Sequence, residues 1–196
     1  MAVAFDDPEA ERAYCYLLGL YLGDGYLARF PRAWCLRLLF DARYPGLVAE
    51  ARTALAVLLP RNRVWSALRG ESRCVIVGCY STRWPALLPQ HGEGRKHERP
   101  IVLADWQKAL TARHPRALIR GLIHSDGSRF MNTIRTAKRQ YVYPTYAFTN
   151  ASADIRAIFT DHLNQLGIAW RASGRNIAIA TRPAVIALDD FVGPKY

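Results

Sequence analysis

At 196 residues and 51% hydrophobic, the chain is long and apolar enough to bury a core without disulfide or metal staples. Its 27 Lys and Arg against 16 Asp and Glu leave a formal charge of +11, so the expected partner is a polyanion, either nucleic acid or an anionic membrane surface. The most apolar stretch, Tyr14 to Leu22, falls far short of the ~20 residues of a bilayer span, and the acidic opening MAVAFDDPEAER carries no signal-peptide pattern.

In chain order, the apolar run over about 11–23 predicts a helix buried on nearly every side. GYLARF and WCLRLLF follow as strands that turn at Pro31 and Arg32. Ala and Leu at helical spacing predict a helix over 46–59, then RVWSAL and RCVIVGCY read as two more strands before a short helix. A connecting segment, 91–114, contains a helix around LADWQKAL. The pattern then starts again: a helix over 115–125, strands SRFMNTIRT and YVYPTYAFTN turning near Lys138 and Arg139, a helix over 152–166, strands IAWRAS and NIAIAT, and a short helix. Cys15, Cys35, Cys74 and Cys79 lack C-x-x-C spacing and sit in apolar runs, which suits reduced core residues of a cytoplasmic protein. No zinc site is expected, because His91 and His97 have no cysteine pair to complete a tetrahedron.

The two series are repeats. LLGLYLGDG (17–25) matches IRGLIHSDG (119–127), with Gly19 to Gly121 and Asp24 to Asp126 both offset by 102 residues (121−19 and 126−24). STR at 81–83 echoes ATR at 180–182, and GRK ending at Lys96 echoes GPK ending at Lys195. The expected fold is therefore α+β: two pseudo-symmetric α-β-β-α-β-β-α halves, 1–90 and 115–196, each with a four-stranded antiparallel saddle sheet.

Gly19 and Gly23 share one helix face, as do Gly121 and Ser125, so the two repeated helices are expected to pack backbone to backbone through these small residues. Side-by-side packing would bring Asp24 and Asp126 together at the negative ends of two helices. Two carboxylates ~5 Å apart repel by about 3 kcal/mol at an effective dielectric near 20. A divalent cation would relieve that repulsion and is suited to phosphodiester hydrolysis.

The paired nonapeptides and the α-β-β-α-β-β-α repeat resemble the LAGLIDADG homing endonucleases of the single-chain, two-motif type. That resemblance implies a metal-dependent endonuclease acting as one monomeric chain, without an obligate protein partner. It would cut a long, pseudo- or non-palindromic double-stranded DNA target with a staggered break. It implies Mg²⁺ or Mn²⁺ between Asp24 and Asp126, with Gly23 and Ser125 counted in the metal site and Ca²⁺ binding without supporting cleavage. The chain has four lysines in all, at 96, 108, 138 and 195, and the two at matched ends, Lys96 and Lys195, are the candidates for basic catalytic groups. Asp41 and Asn150 end the second strand of each half and correspond to polar positions at the periphery of relatives' active sites. The sixth motif position departs from the family's acid: it holds Leu22 and His124, the latter read as an interface residue.

The expected DNA contacts are arginines on the strands, Arg29, Arg37, Arg69, Arg73, Arg129, Arg135, Arg171 and Arg175, together with Arg32, Arg61, Arg63, Lys138 and Arg139 near turns. Arg129 and Arg135 share a parity and so project from one face. Such a protein would be nucleoid-associated. Two other readings use the same surface: a DNA-binding regulator that does not cut, and an RNA maturase.

Overall fold

The computed structural model describes residues 5, 7–70, 73–135 and 139–195. Helix α1 (Pro8–Asp24) starts where Asp7 accepts a bond from the Ala10 amide at 2.8 Å and Pro8 presets the first turn. This cap places the start three residues before the apolar run that predicts the helix. It is followed by β1 (Gly25–Phe30), β2 (Ala33–Asp41), α2 (Pro45–Leu58), β3 (Val64–Leu68), β4 (Cys74–Ser81) and the short α3 (Trp84–Leu87). A single 3-10 turn, Lys96–Glu98, and α4 (Asp105–Arg113) lie in the connecting stretch. The second series is α5 (Pro115–Asp126), β5 (Gly127–Arg135), β6 (Gln140–Thr149), α6 (Ala153–Gln165), β7 (Arg171–Ser173), β8 (Asn176–Ile179) and α7 (Arg182–Asp189).

Both sheets have four antiparallel strands in the same order, β1-β2-β4-β3 and β5-β6-β8-β7. The fold is thus the expected α+β pair of matched halves. The predicted strand from Ile168 is shorter than its sequence pattern, since only Arg171–Ser173 pair with β8.

One face of each sheet packs on helices. In the first half that face carries Leu36, Leu38, Phe40, Val77 and Cys79; in the second it carries Tyr146, Phe148, Ile177 and Ile179, all buried. The opposite faces are open to solvent. Helices α1 and α5 run through the middle of one continuous core, with Leu17, Leu18, Leu118, Ile119 and Leu122 at or near complete burial. Among the described residues no helix is long and apolar enough to cross a membrane.

Candidate active site

The seam between α1 and α5 is held close by its glycines. A Cβ added at Gly19 would lie 2.5 Å from the Leu118 carbonyl oxygen and 2.8 Å from the Cα of Gly121. One added at Gly121 would overlap the Tyr16 carbonyl oxygen and lie 3.0 Å from the Cα of Gly19. One turn on, Gly23 faces Ser125, and a Cβ there would sit 3.2 Å from the carboxyl carbon of Asp126. All four small residues therefore lie where the sequence places them, at the helix interface.

Each motif helix passes into its strand without a loop: α1 ends at Asp24 and β1 begins at Gly25, as α5 ends at Asp126 and β5 begins at Gly127. Gly25 and Gly127 have φ of −91° and −99°, so neither is needed for a left-handed turn. They are needed for space, because a Cβ would come within 2.6 Å of Tyr21 Cα and 2.7 Å of Ile123 Cα. The junction fixes both acids at the foot of the seam.

Their surroundings raise both carboxyls above the ordinary carboxylate range. Asp24 reaches solvent, but the walls around it desolvate it enough to push its pKa up against the pull of Lys96 and Lys195. Asp126 is half-buried; burial first, and then the charge of Asp24, push it up to about 6. Asn150 Nδ2 donates to Asp126 Oδ2 at 2.5 Å, and Asn150 Oδ1 accepts from the Ser152 amide at 2.8 Å, so the amide is oriented. Asp41, the matching position of the first half, makes no equivalent contact. Its carboxylate accepts from Arg43 Nε and Nη2 at 2.9 and 2.6 Å instead.

The two lysines converge on the same point from opposite ends of the chain. Lys96 Nζ donates to the carbonyls of Tyr21, Leu22 and Gly23, the last two at 3.0 and 2.6 Å. Lys195 Nζ donates to the carbonyls of Ser125 and Gly127 at 3.3 and 2.5 Å. Each ammonium thus caps the negative end of one motif helix and faces both acids. The carbonyls of Gly23 and Ser125, counted with the metal by the sequence pattern, each accept a lysine. Burial lowers both lysines, Lys96 to about 8, against the pull of the two carboxylates.

Beside Asp24 a cleft is lined by Tyr21, Arg29, Arg95, Lys96 and Arg99. Arg95, within the GRK echo, and Arg99 were not among the expected contacts, because that expectation counted only arginines of the strands and their turns. Arg99 Nη1 donates to the Gln90 carbonyl at 2.5 Å and closes the loop that carries Lys96.

Strand register decides which arginines reach the open faces. Arg37 and Arg171 do: Arg37 pairs with Tyr26 across β1 and β2, and Arg171 pairs with Ala178. Arg129 does not. It pairs with the buried Tyr146 and forms a two-bond ion pair with Asp189 of α7 at 2.7 and 2.8 Å. Arg135 shares its parity and Arg29 lies level with Trp34 on the matching side of β1, so all three project from the helix-facing sides. Arg32, Arg61, Arg63, Arg69, Arg73, Arg139 and Arg175 are exposed at turns and strand ends, while Lys138 lies outside the described residues. The middle of each open face is aromatic instead. Tyr26, Phe30, Trp65 and Tyr80 surround Arg37 in one half, and Phe130, Tyr141 and Tyr143 line the other.

The matched halves, the glycine seam and the acids at its foot define an architecture with known counterparts. The sequence matches no family model and no curated protein. Solved structures do match. I-DmoI in complex with DNA and Mn superposes with a TM-score of 0.59 at 15% identity, covering 93% of this chain and 97% of that one. The LAGLIDADG meganuclease I-AabMI bound to uncleaved DNA gives 0.56 at 10% identity, covering 91% and 82%. This chain has the LAGLIDADG homing-endonuclease fold. Full-length DUF199/WhiA from Thermatoga maritima also matches, with a TM-score of 0.58 at 15% identity; 98% of this chain aligns with 58% of that longer one.

Proposed function

We propose that this chain is a divalent-metal-dependent endonuclease that cuts both strands of a long DNA duplex, one chain serving as a pseudo-dimer. The observation that carries the reading is the meeting of Asp24, Asp126, Lys96 and Lys195 at the foot of the α1–α5 seam.

The donor set fits a hard cation. Two carboxylates held up by burial, Asp126 also by the charge of Asp24, sit at two negative helix ends, and lysine ammoniums already rest on the adjacent carbonyls. Among the described residues no group of three or more His, Cys, Asp or Glu converges, so only two side-chain ligands are on offer. Mg²⁺ or Mn²⁺ accepts such a set, completing its coordination with water and phosphate oxygens. When bound, the ion supplies Lewis-acid stabilisation of the scissile phosphate and a more acidic water.

The chain's own residues do the rest. Asp24 and Asp126 hold negative charge at a fixed point, and Asn150 orients Asp126. Lys96 and Lys195 place positive charge where a phosphate gains negative charge during displacement. Arginines on the rims grip phosphates, while Arg37 among its aromatic neighbours reads base edges.

The direct test is selection of cut sites from a randomised duplex library by the purified protein with Mg²⁺. Recovery of a long, preferred, asymmetric site supports the reading. Tight DNA binding without any cut in Mg²⁺ or Mn²⁺ would leave a non-cleaving DNA-binding protein instead. Salt provides a second check. With Arg32, Arg61, Arg63, Arg73 and Arg175 exposed along the rims and Arg171 on an open face, the logarithm of affinity should fall against that of salt with a slope of about −5. A flat response in a filter-binding series would contradict phosphate gripping.

Metal-free stability should also depend on pH. The folded pKa of Asp126, about 6, lies above its ordinary unfolded value. The folded state therefore holds more protons in that interval, and stability falls as pH rises from about 4 through about 6. Above that window divalent cations should restore the melting temperature. Melting curves in chelator and in Mg²⁺ test this, and a melting temperature indifferent to both would exclude a paired-acid cation site.

A further inference from the structure

The C-terminal tail reaches the active site by a tether that the first half lacks. After α7 the chain runs back along α5. Arg120 Nη1 donates to the Phe191 carbonyl at 3.3 Å, and its Nη2 is held by Glu50 Oε2 at 3.0 Å. One turn along, His124 Nε2 lies 2.9 Å from the Val192 carbonyl. A carbonyl only accepts, so Nε2 carries the proton. Nδ1 is then the bare nitrogen that accepts from the Tyr16 hydroxyl of α1 at 3.0 Å. Gly193 follows with φ of +70°, a left-handed bend, and two residues later Lys195 Nζ donates to the carbonyls on either side of Asp126.

Lys96 is delivered differently. Its loop is closed by Arg99 on the Gln90 carbonyl, and Gln90 is held in turn by Gln107 of α4, while Leu22 occupies the position that matches His124. The two lysines therefore hang on unrelated scaffolds.

We infer that His124, tied to Tyr16 and to the Val192 carbonyl, is a positioning residue that delivers Lys195 to one of the two strand-cutting half-sites, with no counterpart role toward Lys96. This rests on the nuclease reading above, and it accounts for a histidine at a motif position where the resemblance leads one to expect an acid. An imidazole with a donor on one side and an acceptor on the other bridges α1 and the tail. A carboxylate would instead meet the Val192 carbonyl, with two acceptors opposed.

The test uses the intact chain, two disrupting variants and one rescuing variant. His124→Ala removes the tether. Gly193→Ala moves the tail without touching the seam, since the nearest atom to an added Cβ, Arg120 Nη2, is 4.0 Å away, while the positive φ disfavours any side chain. The first readout needs no cleavage: mass-spectrometric rates of reductive methylation at Lys195 and Lys96. Loss of one buried hydrogen bond should speed Lys195 by about five- to ten-fold and leave Lys96 unchanged. The second is strand-resolved cutting of a doubly labelled duplex that carries the selected site, where both variants should accumulate a nick in one strand only. His124→Gln, able to donate from Nε2, should restore much of the balance.

Unchanged Lys195 methylation in both variants, or equal acceleration of both lysines, would overturn the inference. Equal slowing of both strands would do the same. If His124→Ala fails to fold, Gly193→Ala alone decides. If the wild type cuts no DNA, the nuclease reading falls and the methylation contrast still decides whether His124 positions Lys195.

Discussion

Asp126→Asn is expected to abolish cutting of both DNA strands while duplex affinity stays close to that of the wild type. The amide matches the carboxylate in shape and fits the same space beside Gly23 and Asn150, but it carries no charge and binds a hard cation poorly. Losing one of only two side-chain ligands should slow cleavage by more than about 1,000-fold, roughly 4 kcal/mol of transition-state stabilisation. Asp24→Asn should do the same. The rim arginines are untouched, so binding in a gel-shift series should survive. The substitution has a second sign. It removes one of two carboxylates that burial holds above their usual range, the charge of Asp24 adding to it at Asp126. In chelator, Asp126→Asn should therefore melt higher than the wild type, by about 2–4 °C for each kcal/mol of strain relieved. A variant that still cuts with Mg²⁺, or that loses binding and cutting together, would show that the acids do not hold the reactive centre.

Much of this was legible because the chain states its plan twice. One Asp-Gly is an ordinary turn pair; two at a common offset, each after a glycine on the same helix face, specify a contact between distant segments. The same duplication exposed Lys96 and Lys195, because lysine is scarce among so many arginines. Sequence failed where sheet parity has to be converted into a face. Arg129 and Arg135 do share a face, but only the register with the buried Tyr146 and the ion pair with Asp189 reveal that it is the helix-covered one. The aromatic centre of one open face, with Tyr26, Phe30 and Tyr80, emerges only once the strands are paired. The Glu50–Arg120 and Tyr16–His124 contacts were invisible, since each joins elements with no local spacing signal. Asp41 and Asn150 end matched strands, yet an arginine two residues after Asp41 captures the first and leaves only the second for the site.

The largest stability effect should come from Gly121→Ala. In an isolated helix this change is favourable by about 1 kcal/mol, because alanine restricts the unfolded chain and is the better helix former. Here the added methyl meets backbone on every side: it overlaps the Tyr16 carbonyl and approaches the Gly19 Cα and the Leu20 amide nitrogen at 3.0 and 3.1 Å. No rotamer change relieves that, so α1 and α5 have to move apart, at a cost of about 3 kcal/mol or more. The net loss is then at least about 2 kcal/mol, a fall in melting temperature of roughly 4–8 °C for a chain of this size. Gly23→Ala tests the same seam one turn on. The Ser125 hydroxyl can rotate away from the added methyl, but the Ser125 Cβ, 2.5 Å from it, is fixed to the backbone, so this change should destabilise as well. The two separate in function. Parting the helices at Gly121 draws Asp24 away from Asp126 and lengthens the Tyr16–His124 bond, so any folded fraction of Gly121→Ala should bind DNA more nearly normally than it cuts. Both variants should melt below the wild type; a Gly121→Ala protein as stable as the wild type would mean that the helices do not meet backbone to backbone, and the acids at their feet would have no reason to be paired.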